Sequence, residues 1–250
     1  MSRASFEKCI STVFQEAVAD LDQEEALPNF KERFNWAMFD DEHPTLTRPD
    51  GVDSEKIDFL VELNSWGVEI DMSIRTLEDT ELYVRRFPYG DTDLSKTRHL
   101  RRHIDKYIEE MYILQERLVE MVNAIDDMYD DGQLEKEEEA ALSVAKEVAK
   151  NTLQPVAGFE VRGEHVHEKR YTPADIQKLT DMEHMARIME DDKMVSGILL
   201  EQRDEKYKEV RAEWAERIRR ETAKINKMLD QYFGILRNVL FDEDCNPKLP

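Results

Sequence analysis

Apolar residues along this chain recur mostly at intervals of three and four, the spacing that lines one face of an α-helix. Phe6, Ile10, Val13, Phe14, Ala17 and Leu21 form a first stripe, which must end before Pro28. Phe30, Phe34 and Trp36–Phe39 predict a short second helix. Asp40–Gly51 reads as a connector, with Pro44, Pro49 and an Asp50-Gly51 turn. The next segment admits two periods. Val68, Ile70, Met72 and Ile74 alternate as a half-buried strand would, yet Leu60, Leu63, Trp66, Ile70, Ile74 and Leu77 step by three and four over a longer run. Length decides for helix, with Asp53 or Ser54 as its cap and a break at Phe87-Pro88-Tyr89-Gly90.

The helical spacing continues beyond that break. From Ser95 to about Asp130, Ile104, Ile108, Met111, Leu114, Leu118, Val122 and Ile125 make one continuous apolar stripe, closed by Asp130-Asp131-Gly132. A further helix is predicted from about Gln133 to Leu153 on Val144, Val148 and Ala149, ending at Pro155 and Gly158. Thr172 can cap the next, with Pro173 in its first turn and Ile176, Leu179, Met182 and Ala186 on its apolar face. A final long helix carries Tyr207, Val210, Trp214, Ile218, Ile225, Leu229, Tyr232, Leu236 and Leu240, and ends near Phe241 before a polar tail, Asp242–Pro250. The methionine and aromatic stripes read as core. Long helices with mostly short connections predict an all-α antiparallel bundle, with residues 1–52 as an N-terminal helical extension and 53–250 as the bundle domain.

Charge narrows the partners. With 35 basic and 56 acidic residues among 250, the formal net charge is −21, which excludes a sequence-independent nucleic-acid coat built on a broad basic face. The run Asp126–Glu139 holds eight acids against Lys136 alone; it reads as a solvated face or, more specifically, as a site for a basic protein partner. No apolar stretch approaches the ~18–20 residues of a membrane span. The first residues carry no signal-peptide core, so no membrane association is expected. Cys9 and Cys245 lie near opposite termini in neither a metal-ligand nor a redox spacing. Free thiols in a reducing, cytoplasmic compartment are the expectation.

No glycine-rich phosphate loop, G-x-S-x-G or H-E-x-x-H motif is present. Histidine placement stands out instead. Lys96–His103 contains Lys96, Arg98, His99, Arg101, Arg102 and His103 with a single acid-free run of cations. Arg162–Tyr171 contains Arg162, His165, His167, Lys169, Arg170 and Tyr171. Local cation clusters in an acidic chain suggest anion sites. Histidine can exchange a proton near neutrality, and arginine can hold a phosphate through two N–H bonds. RNA carries its own nucleophile in the 2′-hydroxyl, so its cleavage needs no metal. His99 and His103, four apart on one helix face, could ligate zinc only with a third ligand that the sequence does not supply, and no metal or cofactor is expected.

Arg162-x4-His167, with Val166 before the histidine and Tyr171 after it, resembles the R-x4–6-H signature of HEPN proteins. The resemblance implies an all-helical, usually dimeric protein, often a metal-independent ribonuclease of toxin or defence systems, with its site in a cleft between subunits. It implies that Arg162 binds the scissile phosphate, that His167 transfers a proton during 2′-hydroxyl attack, and that His165, Arg170 and Tyr171 assist. Arg162 is followed by Gly163, where the family commonly has Asn, Asp or His. Arg98…His103 is the second match, with His99 after the arginine and Arg102 nearby. The rival reading is a non-catalytic acidic helical interaction protein or subunit of a larger complex.

Overall fold

A computed structural model describes residues 2–17, 54–86, 95–129, 133–151 and 173–249. Among these residues the fold is all-α: α1 (Arg3–Ala17), α2 (Ser54–Arg85), α3 (Lys96–Met128), α4 (Lys136–Asn151), α5 (Ala174–Ile188) and α6 (Lys193–Leu240). The one extended pairing among them is an isolated bridge between Phe241 and Pro247. No described helix is long and apolar enough to cross a membrane. The short helix expected near residues 30–39, the connector 40–51 and the breaks at 87–90, 130–132 and 155–158 lie outside the described residues.

The competition between strand and helix at residues 57–77 resolves as helix. Ile70 and Ile74 are buried, while Val68 and Met72, which would share their face in a strand, are exposed. All nine residues assigned to the apolar face of the last helix are buried, from Tyr207 to Leu240. That helix is longer than its stripe: it begins at Lys193. On α4 the face is turned from the expected one. Leu142, Ala145 and Ala149 are buried, Val148 is half-buried, and Val144 is exposed. Likewise Cys9 joins Phe6 and Val13 on the buried side of α1, while Phe14 is exposed. Pro173 stands at the N-cap of α5 with extended backbone (φ −51°, ψ 141°), one position earlier than the first helical turn expected for it. The reading of methionines as core holds for Met111, Met121 and Met228 and fails for Met72, Met185 and Met194, which are exposed.

The chain divides into two compact units. The first comprises Met1–Gly67, Ile125–Ser143 and Asp230–Pro250, so α1, assigned by sequence to an extension, shares a unit with the C-terminal tail. Its core is aromatic. Phe6 packs on Phe233 with ring centroids 5.1 Å apart and meets Phe241 edge-on at 6.0 Å; Phe59 also meets Phe241 edge-on at 6.0 Å. The second unit comprises Val68–Ala124 and Val144–Leu229. There α2–α6 are cross-tied by side chains: Asn226 donates to Glu78 (3.1 Å), the Trp214 indole N–H to Asp175 (2.7 Å), and Gln115 to the Lys150 carbonyl (2.6 Å).

The polar tail is built rather than loose. The Asp242 carboxylate accepts the backbone N–H groups of Asp244 (2.9 Å) and Asn246 (2.8 Å) and the Asn246 side-chain amide (2.7 Å), an Asx-type turn. These donors hold the Asp242 carboxyl below its ordinary pKa. Arg237 donates to the Asp242 and Glu243 carbonyls (2.8 and 3.0 Å). Farther along, Lys248 pairs with Glu138, and the Tyr129 hydroxyl donates to the Lys248 carbonyl. The turn puts Cys245 in the left-handed region (φ 68°) and brings its sulfur to Cys9, with which it forms a disulfide. The free-thiol expectation is thereby corrected, and with it the ground for assigning a reducing compartment. A sequence separation of 236 says nothing about proximity in space, and the ordered tail supplies that proximity.

Alkylation of the unfolded, unreduced protein is expected to label neither cysteine. Cys9→Ser should lower unfolding stability by about 2–4 kcal/mol, the usual worth of a bridge closing a long loop. Two labelled thiols without reductant, or urea midpoints that coincide with and without dithiothreitol, would show that the bridge does not form.

Candidate functional site

Of the two histidine clusters, the described residues contain the one that opens α3. Ser95 caps this helix: its Oγ accepts the Arg98 N–H (3.2 Å) and donates to Glu183 on α5 (3.2 Å). Lys96 pairs with Asp204 on α6 at 3.2 Å. Glu183 therefore places negative charge beside the N-terminus of α3, which favours the helix dipole and offsets the nearby cations.

Of the two histidines on this first stretch of helix, His99 is buried and His103 is half-buried. His99 is buried, and its Nε2 lies 3.1 Å from the Tyr83 carbonyl in the last turn of α2. A carbonyl only accepts, so Nε2 carries the proton, and His99 satisfies a helix-end carbonyl that α2 cannot pair internally. His103, one turn on, stacks on the Tyr83 ring at 5.3 Å and 19°, and meets the His99 ring edge-on at 4.4 Å. Burial, then the neighbouring His99 and the Arg102 guanidinium, lower the His103 pKa from 6.5 to about 4. At neutral pH this imidazole is uncharged.

Arg98 and Arg102 are exposed, and Arg101 lies 3.8 Å from Asp105 along the same helix. Five residues at about 100° each set Arg98 and His103 roughly 140° apart around the axis. Arg98 thus reaches solvent while His103 packs on Tyr83, and the two do not converge on one reacting atom. Among the described residues no group of three or more His, Cys, Asp or Glu side chains could hold a metal, so His99 and His103 gain no third ligand there. Arg162, His165, His167, Arg170 and Tyr171 lie outside the described residues.

Two features escaped the sequence reading. The first is a cation run on α6, Arg217, Arg219, Arg220, Lys224 and Lys227, with Glu221 as the one acid between them. Its members are largely answered locally: Arg219 binds Glu216 (2.8 Å), Lys224 and Arg220 approach Glu221 (3.3 and 3.4 Å), and Arg217 lies over the Trp214 ring at 4.7 Å. Such pairs on an exposed helix face are a solvated surface. The second is an exposed apolar surface at the α5–α6 turn. Met185, Ile188, Met194, Ile198 and Leu200 are all exposed there, Met194 to 76%. Half-buried Met182, Met189, Val195 and Leu199 lie between them. Its signal was present in the sequence as apolar residues on more than one face of α5, beyond the Ile176–Leu179–Ala186 stripe.

The turn that carries this surface is well fixed. Asp192 accepts the N–H groups of Met194 and Val195 (both 3.2 Å) and so caps α6, and the Ser196 hydroxyl donates across to the Ala186 carbonyl (3.0 Å). Compared with known families, curated proteins and solved structures, the chain matches none.

The lowered His103 pKa has a consequence for stability. The unfolded chain takes up the proton near pH 6.5 and the folded one near 4, so stability is fully present above pH 6.5 and declines as pH falls toward 4. His103→Gln should flatten that part of the stability curve. A titration of the His103 ring by NMR with a midpoint near 6.5 would contradict the packing described.

Proposed function

We propose that this chain is an acidic helical interaction protein that engages a partner through the α5–α6 turn. The observation that carries this reading is the exposed set Met185, Ile188, Met194 and Ile198 on a turn held by its own hydrogen bonds. Exposed apolar side chains gathered about one fixed turn mark an interaction site, whereas isolated ones need no explanation. His103, uncharged and stacked on Tyr83, and Arg98, about 140° away around the helix, favour the same reading, because they take the second arginine–histidine pair out of catalytic geometry. An RNA-directed protein, a metal-independent endoribonuclease working as a dimer, is the second proposal. It is supported by Arg162 and His167 in the sequence. A cytoplasmic setting belongs with it.

One pair of measurements separates the two. On the interaction reading, Ile188→Ser and Met194→Ser leave stability within about 0.5 kcal/mol of the parent, as surface changes do. Leu179→Ala, in the buried face of the same hairpin, costs about 2–5 kcal/mol. The pure protein leaves RNA intact in EDTA. Cleavage to 2′,3′-cyclic phosphate ends, lost in His167→Ala, would transfer the assignment to the ribonuclease.

A further inference from the structure

The chemistry around the apolar turn narrows what docks there. From Asp181 to Glu205 the chain carries eight acids and three bases, a net charge of −5 with His184 neutral. Glu190 and Asp191 stand in the turn itself, and Glu201 follows Ile198 by three positions on α6. All three are exposed and have no ion-pair partner among the described residues. Methionine contributes Met182, Met185, Met189 and Met194, unbranched side chains whose polarizable thioethers adapt to varied apolar shapes. We propose, building on the interaction reading, that the α5–α6 turn is the docking surface for a basic amphipathic helix of a partner protein. The partner's apolar residues cover Met185, Ile188, Met194 and Ile198. Its lysines and arginines meet Glu190, Asp191 and Glu201. This is the helix-in-groove mode of recognition with an electrostatic rim.

Charge also decides against the other occupants. A second copy joined about a two-fold axis would bring the same patch against itself and set acids against acids. An anionic lipid surface would be repelled by the same rim. A basic helix alone gains from both parts of the surface, and its attraction extends over roughly a Debye length of 8–10 Å before contact.

The full chain, with its disulfide intact, is titrated by fluorescence anisotropy with three labelled synthetic helices of one hydrophobic pattern. Their apolar face is leucine, and their polar face is lysine, glutamine or glutamate. The leucine–lysine peptide is expected to bind tightest, to weaken with salt, and to lose about tenfold or more in affinity with Ile188→Ser/Met194→Ser, as loss of a central anchor does. Glu190→Gln/Asp191→Asn should weaken the lysine peptide and leave the glutamine peptide unchanged. Circular dichroism and urea midpoints of both variants report whether the fold is retained. Equal, Ile188/Met194-dependent binding of the glutamine peptide would overturn the basic partner and leave the docking surface standing. Binding of the lysine peptide that ignores Ile188→Ser/Met194→Ser would reduce it to attraction by an acidic protein and overturn the proposal together with the interaction reading. Self-association of the parent in sedimentation, abolished in the same variant, would assign the surface to a second copy and overturn the basic helix.

Discussion

Burial of one continuous stripe on α6 is the constraint on which the rest of the structure depends. The residues Tyr207, Val210, Trp214, Ile218, Ile225 and Leu229 supply the second unit's core, and Tyr232, Leu236 and Leu240 that of the first. A 48-residue helix offers one such face and no more. Each neighbour must present an apolar stripe of matching period or remain outside. That requirement explains the helical outcome for α2, whose Ile70, Ile74 and Leu77 can meet such a face while Val68 and Met72 cannot. It explains the opposite side of α6 as well. A long helix buried on one side must be soluble on the other, and Arg219, Arg220, Lys224 and Glu216 make it so, with the buried Glu221 reaching Arg220 and Lys224 from the edge of the stripe. The cations of α6 are thus a consequence of its length.

The first unit solves a different problem. Just after α6 the buried stripe stops at Phe241, and the chain that follows is largely polar. Its order comes from directed bonds: the Asp242 turn, the Arg237 and Lys248 contacts, and the disulfide to α1. The disulfide and the Phe6–Phe233–Phe241 cluster reinforce each other. Phe6 and Cys9 are one turn apart on α1, so the packing that places the ring also delivers the sulfur, and the bridge then prevents α1 from leaving the aromatic core. At the start of α1 the Arg3 N–H donates to the Asp230 carboxylate on α6 at 3.0 Å, which adds a favourable charge at the helix N-terminus.

How much of this was legible follows from the kind of information each feature needs. Period is local, and the helices of the described residues could be read from it; the α6 stripe is correct residue by residue. Facing is partly local. On α4 the stripe Val144, Val148 and Ala149 suggested one face, but the buried side runs through Leu142, Ala145 and Ala149 and leaves Val144 exposed. Proximity is not local at all. Nothing at Cys9 or in Asp242–Asn246 signals that the two meet, although the Asp–Asn pair that builds the turn was visible. The histidine cluster shows the same limit. A step of five positions from Arg98 to His103 looks close along the chain and is about 140° around a helix, so a motif defined by spacing changes meaning once the segment is helical. Tyr83, which contacts both histidines, lies on the preceding helix and could not be named from their own surroundings.

The acidity and the exposed apolar turn belong to one physical argument. An apolar surface such as Met185, Ile188, Met194 and Ile198 promotes self-association unless something opposes it. A net charge of −21 opposes it generally, and the exposed Glu190, Asp191 and Glu201 oppose it where the surface lies. The acids near the turn therefore act twice. Against another copy of the chain they raise the free energy of contact. Against a cationic partner they lower it. Removing the acids would weaken discrimination in both directions at once, whereas removing the apolar residues would leave attraction without a surface to bury. Among the described residues that arrangement separates the α5–α6 turn from the α6 cation face, where Glu216 and Glu221 offset part of the charge within the helix and no exposed apolar set accompanies it.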